Sequence, residues 1–312
     1  MKKDKLIAII GPTAVGKTNL SIELAKKLHT EIISGDSMLV YKGMDIGTAK
    51  PSANEQAGIV HHLIDILEPN AEFSVTKFKE LAGGLIREIN KTCHIPILAG
   101  GTGLYVKSLV ENYQFNQTPG DEKYRNQLEE LAQIHGKQYV HELLAKVDPE
   151  TAARLHINDF RRVIRALEVY HLGGEYISQE KLSNEDFAYD AIIIGLFMER
   201  SKLYERINQR VDLMIANGLV EEVKGLLNKG LNREYQAMKG IGYKEIIAYL
   251  EGEITLEEAI EQIKKSTRHF AKRQLTWFRK MSYIQWYDVD TISSTKLVEN
   301  IYTEIAGKFS LR

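Results

Sequence analysis

An α/β fold, a parallel sheet flanked by helices and carrying a helical insertion, is what this 312-residue sequence predicts. Three observations carry the expectation. Short apolar runs of buried-strand type recur at Lys5–Ile10, Glu31–Ser34, Ile95–Ala99 and Ala191–Phe197. Between them lie amphipathic helical stretches, the alternation of a parallel sheet. From about Thr118 to Tyr189 the alternation stops and the chain is helical and charged, then it resumes with AIIIGLF. A helical insertion (118–189) between two strands of one core (1–117 and 190–312) is the simplest account.

The first strand candidate breaks at Gly11, and Gly11-Pro12-Thr13-Ala14-Val15-Gly16-Lys17-Thr18 satisfies G-x-x-x-x-G-K-[ST]. A helical segment, Asn19–His29, follows with Leu20, Leu24 and Leu28 on one stripe. Strand, glycine loop and helix together make the sheet P-loop NTPase-like. The loop amides and the helix N-terminus turn toward an anion. Lys17 can reach outer phosphate oxygens, and the Thr18 hydroxyl can sit on Mg2+. A random chain of this length matches the pattern about one time in a hundred, so a phosphate or diphosphate site is the reading. Whose phosphates they are stays open.

Glu31–Ser34 ends at Gly35-Asp36-Ser37. Ligands gather beyond the carboxyl ends of parallel strands, so Asp36 is read as functional, as a base or a metal-bound water ligand, rather than as a helix cap. Residues 38–62 read as a long ordered loop, a length that is usually functional. Leu63–Leu67 is a short strand candidate whose Asp65 is read as structural. Phe73–Asn90 is an amphipathic helix. Ile95–Ala99 runs into Gly100-Gly101-Thr102-Gly103, where Thr102 can offer a hydroxyl to a ligand or simply stand in a tight turn.

In the insertion, Asp121–Lys146 makes one or two helices and Asn158–Leu172 another, ended by Gly173-Gly174. Arg161, Arg162 and Arg165 lie one turn apart; alone, they read as a solvated face paired with Glu168. Residues 201–230 form two helices broken at Asn217-Gly218, with Arg206 and Arg210 one turn apart. Arg210 is equally a cation for a phosphate or a surface charge. Thr255 and Glu258 form a capping box for a long helix reaching Met281. Lys264–Lys280 holds seven Lys or Arg and no acid, with Lys265, Arg268, Lys272 and Arg279 on one face and Ile263, Phe270 and Trp277 on the other. One face packs and the other is a basic rail suited to a polyanion such as RNA or DNA, or to an acidic part of the same protein.

Composition sets the bounds. With 44% hydrophobic and 27% charged residues and a net charge of −1, the chain has the make-up of a soluble globular protein. No apolar run approaches the ~20 residues of a membrane span, and the N-terminus lacks a signal-peptide core. The single cysteine, Cys93, excludes an internal disulfide and a Cys-rich zinc site. A cytoplasmic protein, without membrane partners and monomeric, is expected.

GPTAVGKT (11–18), SGDSMLVYKGMDIGTAKP (34–51), HHLIDI (61–66), LAGGTGLYVKSL (98–109), RRVIRALEV (161–169), KGIGYKE (239–245) and AKRQLTWFRK (271–280) together resemble the tRNA dimethylallyltransferase (tRNA isopentenyltransferase) family, bacterial type. The motifs keep the family's order over nearly the whole chain. The resemblance implies transfer of a dimethylallyl group from dimethylallyl diphosphate to N6 of the adenosine 3′ of the anticodon, with release of diphosphate. The glycine loop then holds the prenyl diphosphate, with Mg2+ on Thr18, while Lys17 and Arg210 neutralise the leaving group. Asp36 is the general base, and Thr102 belongs to the catalytic set. The tRNA anticodon stem-loop is the implied partner. Its contacts would come from Asp36, Ser37, Met38 and Leu39, from Thr102 and Arg125, and from Arg161, Arg162 and Arg165. Lys239, Gly240, Gly242, Tyr243 and Lys244 would add to them, as would Lys272, Arg273, Gln274, Trp277 and Arg279. From the residues alone the rivals are a small-molecule P-loop kinase, a prenyltransferase acting on free adenine nucleotides and a non-enzymatic nucleic-acid-binding NTP switch. The kinase needs neither the basic rail nor the long loop after Asp36, the second has less use for an RNA-gripping C-terminal third, and against the third stand the lack of a clear Walker B strand and of a water-positioning Gln in the expected context.

Overall fold

The computed structural model describes residues 3–113, 115–116, 118–173 and 187–311. The chain runs β1 (Lys5–Ile10), α1 (Lys17–Leu28), β2 (Ile32–Ser34), α2 (Ala53–Gln56), β3 (His61–His62), α3 (Val75–Lys91), β4 (Ile97–Gly100) and α4 (Gly103–Val110). Four helices follow: α5 (Glu122–His135), α6 (Lys137–Val147), α7 (Pro149–Arg154) and α8 (Phe160–Gly173). The chain then continues as β5 (Asp190–Phe197), α9 (Arg200–Ala216), α10 (Leu219–Asn228), α11 (Tyr243–Leu250), α12 (Leu256–Phe278), β6 (Gln285–Asp288) and α13 (Ser294–Phe309). It divides into two compact units, Met1–Asn112 with Asp186–Arg312, and Tyr113–Glu185.

The first unit is built on a sheet of order β3-β2-β4-β1-β5-β6, parallel at every pairing. β1 shows why both faces are covered. Leu6, Ala8 and Ile10 pack into one core with Phe78, Tyr105 and Phe278. Ile7 and Ile9 point the other way, into a core with Leu20, Leu24 and Ile301. This is the period-2 alternation of a strand buried on both sides. Because β4 lies between β1 and β2, the turns that leave these three strands are neighbours. They are the glycine loop, Gly35-Asp36 and Gly100–Gly103.

The second unit holds α5 to α8 around Leu128, Val140, Leu144, Val163 and Leu167. Its buried acid, Glu168, accepts from the Asp121 N–H at 2.7 Å and from Arg125 Nε at 2.6 Å, and it is also paired with Arg165. Desolvation works against its charge, but these donors outweigh it and hold the carboxyl below its ordinary range. Gly174 of the anticipated Gly-Gly cap lies outside the described residues.

Three sequence expectations need correction. The strand expected over Leu63–Leu67 is instead His61–His62, because Leu63 and Asp65 sit at φ 60° and 54°, where a strand cannot continue. The packing stripe of α12 is not Ile263-Phe270-Trp277. Ala259, Ile263, Ala271, Gln274 and Phe278 are buried, while Phe270 is partly exposed and Trp277 is 40% exposed. The helix packs on α9 and α11 and also on α4, so its buried face rotates along its length, covering Ile263 but leaving Phe270 and Trp277 outside it. Finally, the stretch 38–62 is not loop throughout, since it holds α2 and β3; β6 and α13, beyond the last assigned segment, complete the sheet edge and one core.

Candidate active site

The glycine loop leaves β1 and enters α1 through Gly16, at φ 105°, a left-handed conformation that favours glycine. No side chain caps α1, so its first amides remain available to an anion. The Lys17 amine folds back onto the carbonyls of Gly11 (3.0 Å) and Pro12 (2.7 Å). Burial lowers its pKa to about 8, with Asp36 opposing and Arg210 reinforcing the shift. Thr18 is exposed, and its hydroxyl has no hydrogen-bond partner among the described residues.

Asp36 follows β2 directly, and its Oδ1 accepts the Met38 N–H at 2.8 Å. Arg210, on α9, has its guanidinium pKa pulled down by burial, opposed by Asp36 and Glu55. Lys17, Asp36 and Arg210 line one open cavity of about 500 Å³ together with Thr13, Thr18 and Arg206. The uncharged part of its wall includes Ile32, Leu39, Ala49, Pro51, Ile64 and Phe270. Cationic and amide groups therefore share the lining with this apolar portion, and Ser34, Asp36, His61 and Gln274 add further polar groups.

The Gly100–Gly103 turn lies flush against α12. A Cβ on Gly101 would strike Gln274 Nε2, and one on Gly103 would strike the Trp277 ring. Gln274, 6% exposed, spends both ends of its amide here. Oε1 accepts the Thr13 N–H at 2.9 Å, and Nε2 donates to the Gly101 carbonyl at 3.0 Å. One side chain of the basic helix thus joins the glycine loop to the turn after β4. Thr102 is partly exposed beside this junction and is the N-cap of α4, yet its side chain makes no capping bond.

The other sequence-selected residues separate into groups. Gly11, Pro12 and Val15 of the loop are buried. Ser37 and Met38 are partly exposed next to Asp36, with Leu39 in the cavity wall. Lys272, Arg273 and Arg279 are exposed on α12, and Lys239 and Lys244 are exposed around α11. Gly240 is half-buried, whereas Gly242 and Tyr243 are buried, and the Tyr243 hydroxyl donates to Glu222 at 2.6 Å. In the second unit, Arg161 and Arg162 are exposed, while Arg125 and Arg165 engage Glu168.

Two features of the cavity region escape sequence reasoning. His61 lines the cavity, and its Nδ1 is 2.9 Å from the Ile59 carbonyl. Its Nε2 is buried with no hydrogen-bond partner among the described residues. Burial pushes this imidazole toward its neutral form, leaving Nε2 a lone-pair acceptor. Glu222 anchors the loop that walls the cavity. His61 opens the HHLIDI stretch, but nothing local in the sequence gives it or Glu222 a place at the cavity, which depends on how the fold assembles.

A family model described as IPP transferase matches residues 39–281. A tRNA dimethylallyltransferase of Geobacillus thermodenitrificans is 52% identical over 310 residues, covering 99% of this chain and 98% of the relative. One from Bacillus mycoides is 51% identical over 314 residues, covering 100% and 98%. Among solved structures, the full-length tRNA isopentenylpyrophosphate transferase of Bacillus halodurans matches with a TM-score of 0.75 at 48% identity, covering 99% of this chain and 97% of that one. A eukaryotic dimethylallyltransferase acting on tRNA matches with a TM-score of 0.80 at 30% identity, covering 96% and 80%.

Proposed function

The chain belongs to the IPP transferase family of tRNA dimethylallyltransferases, and from that membership we propose how its cavity carries the reaction. The enzyme transfers a dimethylallyl group from dimethylallyl diphosphate to tRNA. The acceptor is N6 of the adenosine 3′ of the anticodon. The diphosphate lies in the cavity on the loop amides, Lys17 and Arg210, and the five-carbon chain lies along the apolar wall. The N6 lone pair attacks C1 of the donor as the C1–O bond breaks, its electrons leaving with diphosphate. Asp36 takes the proton from N6. The loop amides and the two cations stabilise the charge that develops on the leaving oxygen. Thr102, the residue after the cavity-lining Gly101, completes the catalytic set.

The observation that carries this reading is the convergence of Lys17, Asp36 and Arg210 on the cavity of the glycine loop. The donor set also suits Mg2+. Thr18 offers one unpartnered hydroxyl, an oxygen that could join phosphate oxygens and water around the ion. Bound there, Mg2+ would neutralise charge on the diphosphate.

The anticodon stem-loop contacts the basic face of α12 through Lys272, Arg273 and Arg279, and Lys239 and Lys244 extend that surface past Gly240. Arg161 and Arg162 of the second unit take phosphates, with Arg125 and Arg165 beside them. The target base leaves its stack to reach Asp36, past Ser37, Met38, Leu39 and Trp277. Gln274 and Gly242 act as supports beneath these contacts, whereas Tyr243, 1% exposed and bonded to Glu222, has no part in them. We assign the enzyme to the cytoplasm as a monomer; among the described residues no helix is long and apolar enough to cross a membrane. A transfer assay with labelled dimethylallyl diphosphate, offering unmodified tRNA and AMP side by side, tests the reading. Label on tRNA alone is expected. Label on AMP alone would discard the RNA half.

A further inference from the structure

Glu222, on α10, is half-buried and gathers four donors. Oε2 accepts the N–H groups of Asp45 (2.8 Å) and Ile46 (2.7 Å). Oε1 accepts the Gly47 N–H (3.0 Å) and the Tyr243 hydroxyl (2.6 Å). Tyr243 is 1% exposed, and its ring lies so close to Gly47 that a Cβ there would come within 2.6 Å of it. On the other side of the same segment, the Lys50 amine is nearly buried. It donates to the Tyr41 carbonyl at 2.7 Å and pairs with Asp45 at 2.6 Å and with Asp65.

The segment held between these anchors supplies Thr48, Ala49 and Pro51 to the cavity. Its chemistry is apolar. The Thr48 hydroxyl is spent on the Met44 carbonyl at 2.6 Å, which leaves its methyl group as the free part. With Leu39 and Ile64 these side chains offer hydrocarbon and no cation to a ligand.

The geometry points to Glu222 as a positioning residue for the wall that receives the prenyl chain. It sets affinity for the hydrocarbon part of the donor and not for its diphosphate. This inference rests on the cavity being the dimethylallyl diphosphate site. A glutamine at 222 has one acceptor oxygen, and its own N–H groups would face donors, so the three loop amides could not all be served. The Tyr243→Phe change removes one donor of four and keeps the ring against Gly47.

The test uses the full chain with Glu222→Gln, Glu222→Asp and Tyr243→Phe. It measures KM for dimethylallyl diphosphate, Ki for inorganic diphosphate and Kd for tRNA. Glu222→Gln is expected to raise KM for the donor about tenfold, a loss of the size of one charged hydrogen bond. Ki for diphosphate and Kd for tRNA should stay within about twofold. Glu222→Asp, which keeps the charge, should recover part of the loss, and Tyr243→Phe should show a smaller change of the same kind. Donor KM and diphosphate Ki rising together, or neither changing, would overturn the inference. Should Glu222→Gln fail to fold, Tyr243→Phe decides by the same two constants. A Lys17→Ala variant separates the premise. If it leaves Ki for diphosphate unchanged, the cavity assignment fails rather than the role of Glu222.

Discussion

In the proposed reaction Asp36 and Lys17 act on opposite ends of the same event, and their variants should fail differently. Asp36→Ala is expected to abolish transfer while dimethylallyl diphosphate still binds, checked by single-turnover transfer beside equilibrium binding of the donor. Substantial transfer would remove Asp36 as base. Lys17 adds a pH signature. In the free enzyme its amine titrates near 8 because burial disfavours the charge, and an anion recruits only the protonated form. Diphosphate affinity should therefore be flat below about pH 8 and weaken above it, approaching tenfold per unit. The same depressed pKa has an opposite sign for stability. Between about 8 and the ordinary lysine value the unfolded chain binds more protons, so this residue's destabilising contribution fades as pH rises through that window. Affinity titrations from pH 6.5 to 9.5, with Lys17→Arg as the non-titrating control, separate the two.

At the scale of elements, α12 joins two tasks. Its outer face carries Lys272 and Arg279, and replacing both by alanine should weaken tRNA binding and lower the slope of log K against log salt by about 1 per lost contact. Unchanged affinity across salt concentrations would refute the rail. Its inner face carries Gln274, and Gln274→Leu leaves the Thr13 N–H and the Gly101 carbonyl unpaired, at about 1–3 kcal/mol each. Diphosphate affinity and thermal midpoint should both fall in that variant. The capping box, the break at Asn217-Gly218 and the exposure of Lys265, Lys272 and Arg279 could be read from the chain because each is a local pattern, whereas Arg268 of the same face donates instead to Asn208 on α9. The rotation of the buried face of α12 could not, since it follows from which neighbours the helix meets. The two-residue β3 was also hidden. Buried Leu63 gives an apolar signal, but it packs from a left-handed turn and not from a strand.

For the whole molecule, the order of the sheet matters more than any single motif. Strand content and the helical stretch follow from apolar period and its interruption, and the glycine loop is a contiguous pattern, so fold class is legible in the sequence. The insertion of β4 between β1 and β2 is not local, yet it brings Asp36, the glycine loop and Thr102 to adjoining turns. Glu222 and His61 acquire meaning only from that assembly. The second unit has its own core and its own buried acid, and Glu168→Gln should cost it about 1–3 kcal/mol, because the amide cannot serve the Asp121 N–H and both arginines at once. The expected result is loss of tRNA modification with diphosphate affinity kept, read by transfer assay and diphosphate titration. Equal loss of both would contradict a division of labour between the units.

The polarity of the sheet has a practical corollary. Cys93, exposed between α3 and the start of β4, is the sole thiol of the chain. It precedes a strand whose far end runs into the glycine turn that lines the cavity. Maleimide coupling at this native handle would immobilise the enzyme or attach a dye to it at the opposite pole of the sheet. The catalytic mouth would stay open without a single engineered cysteine.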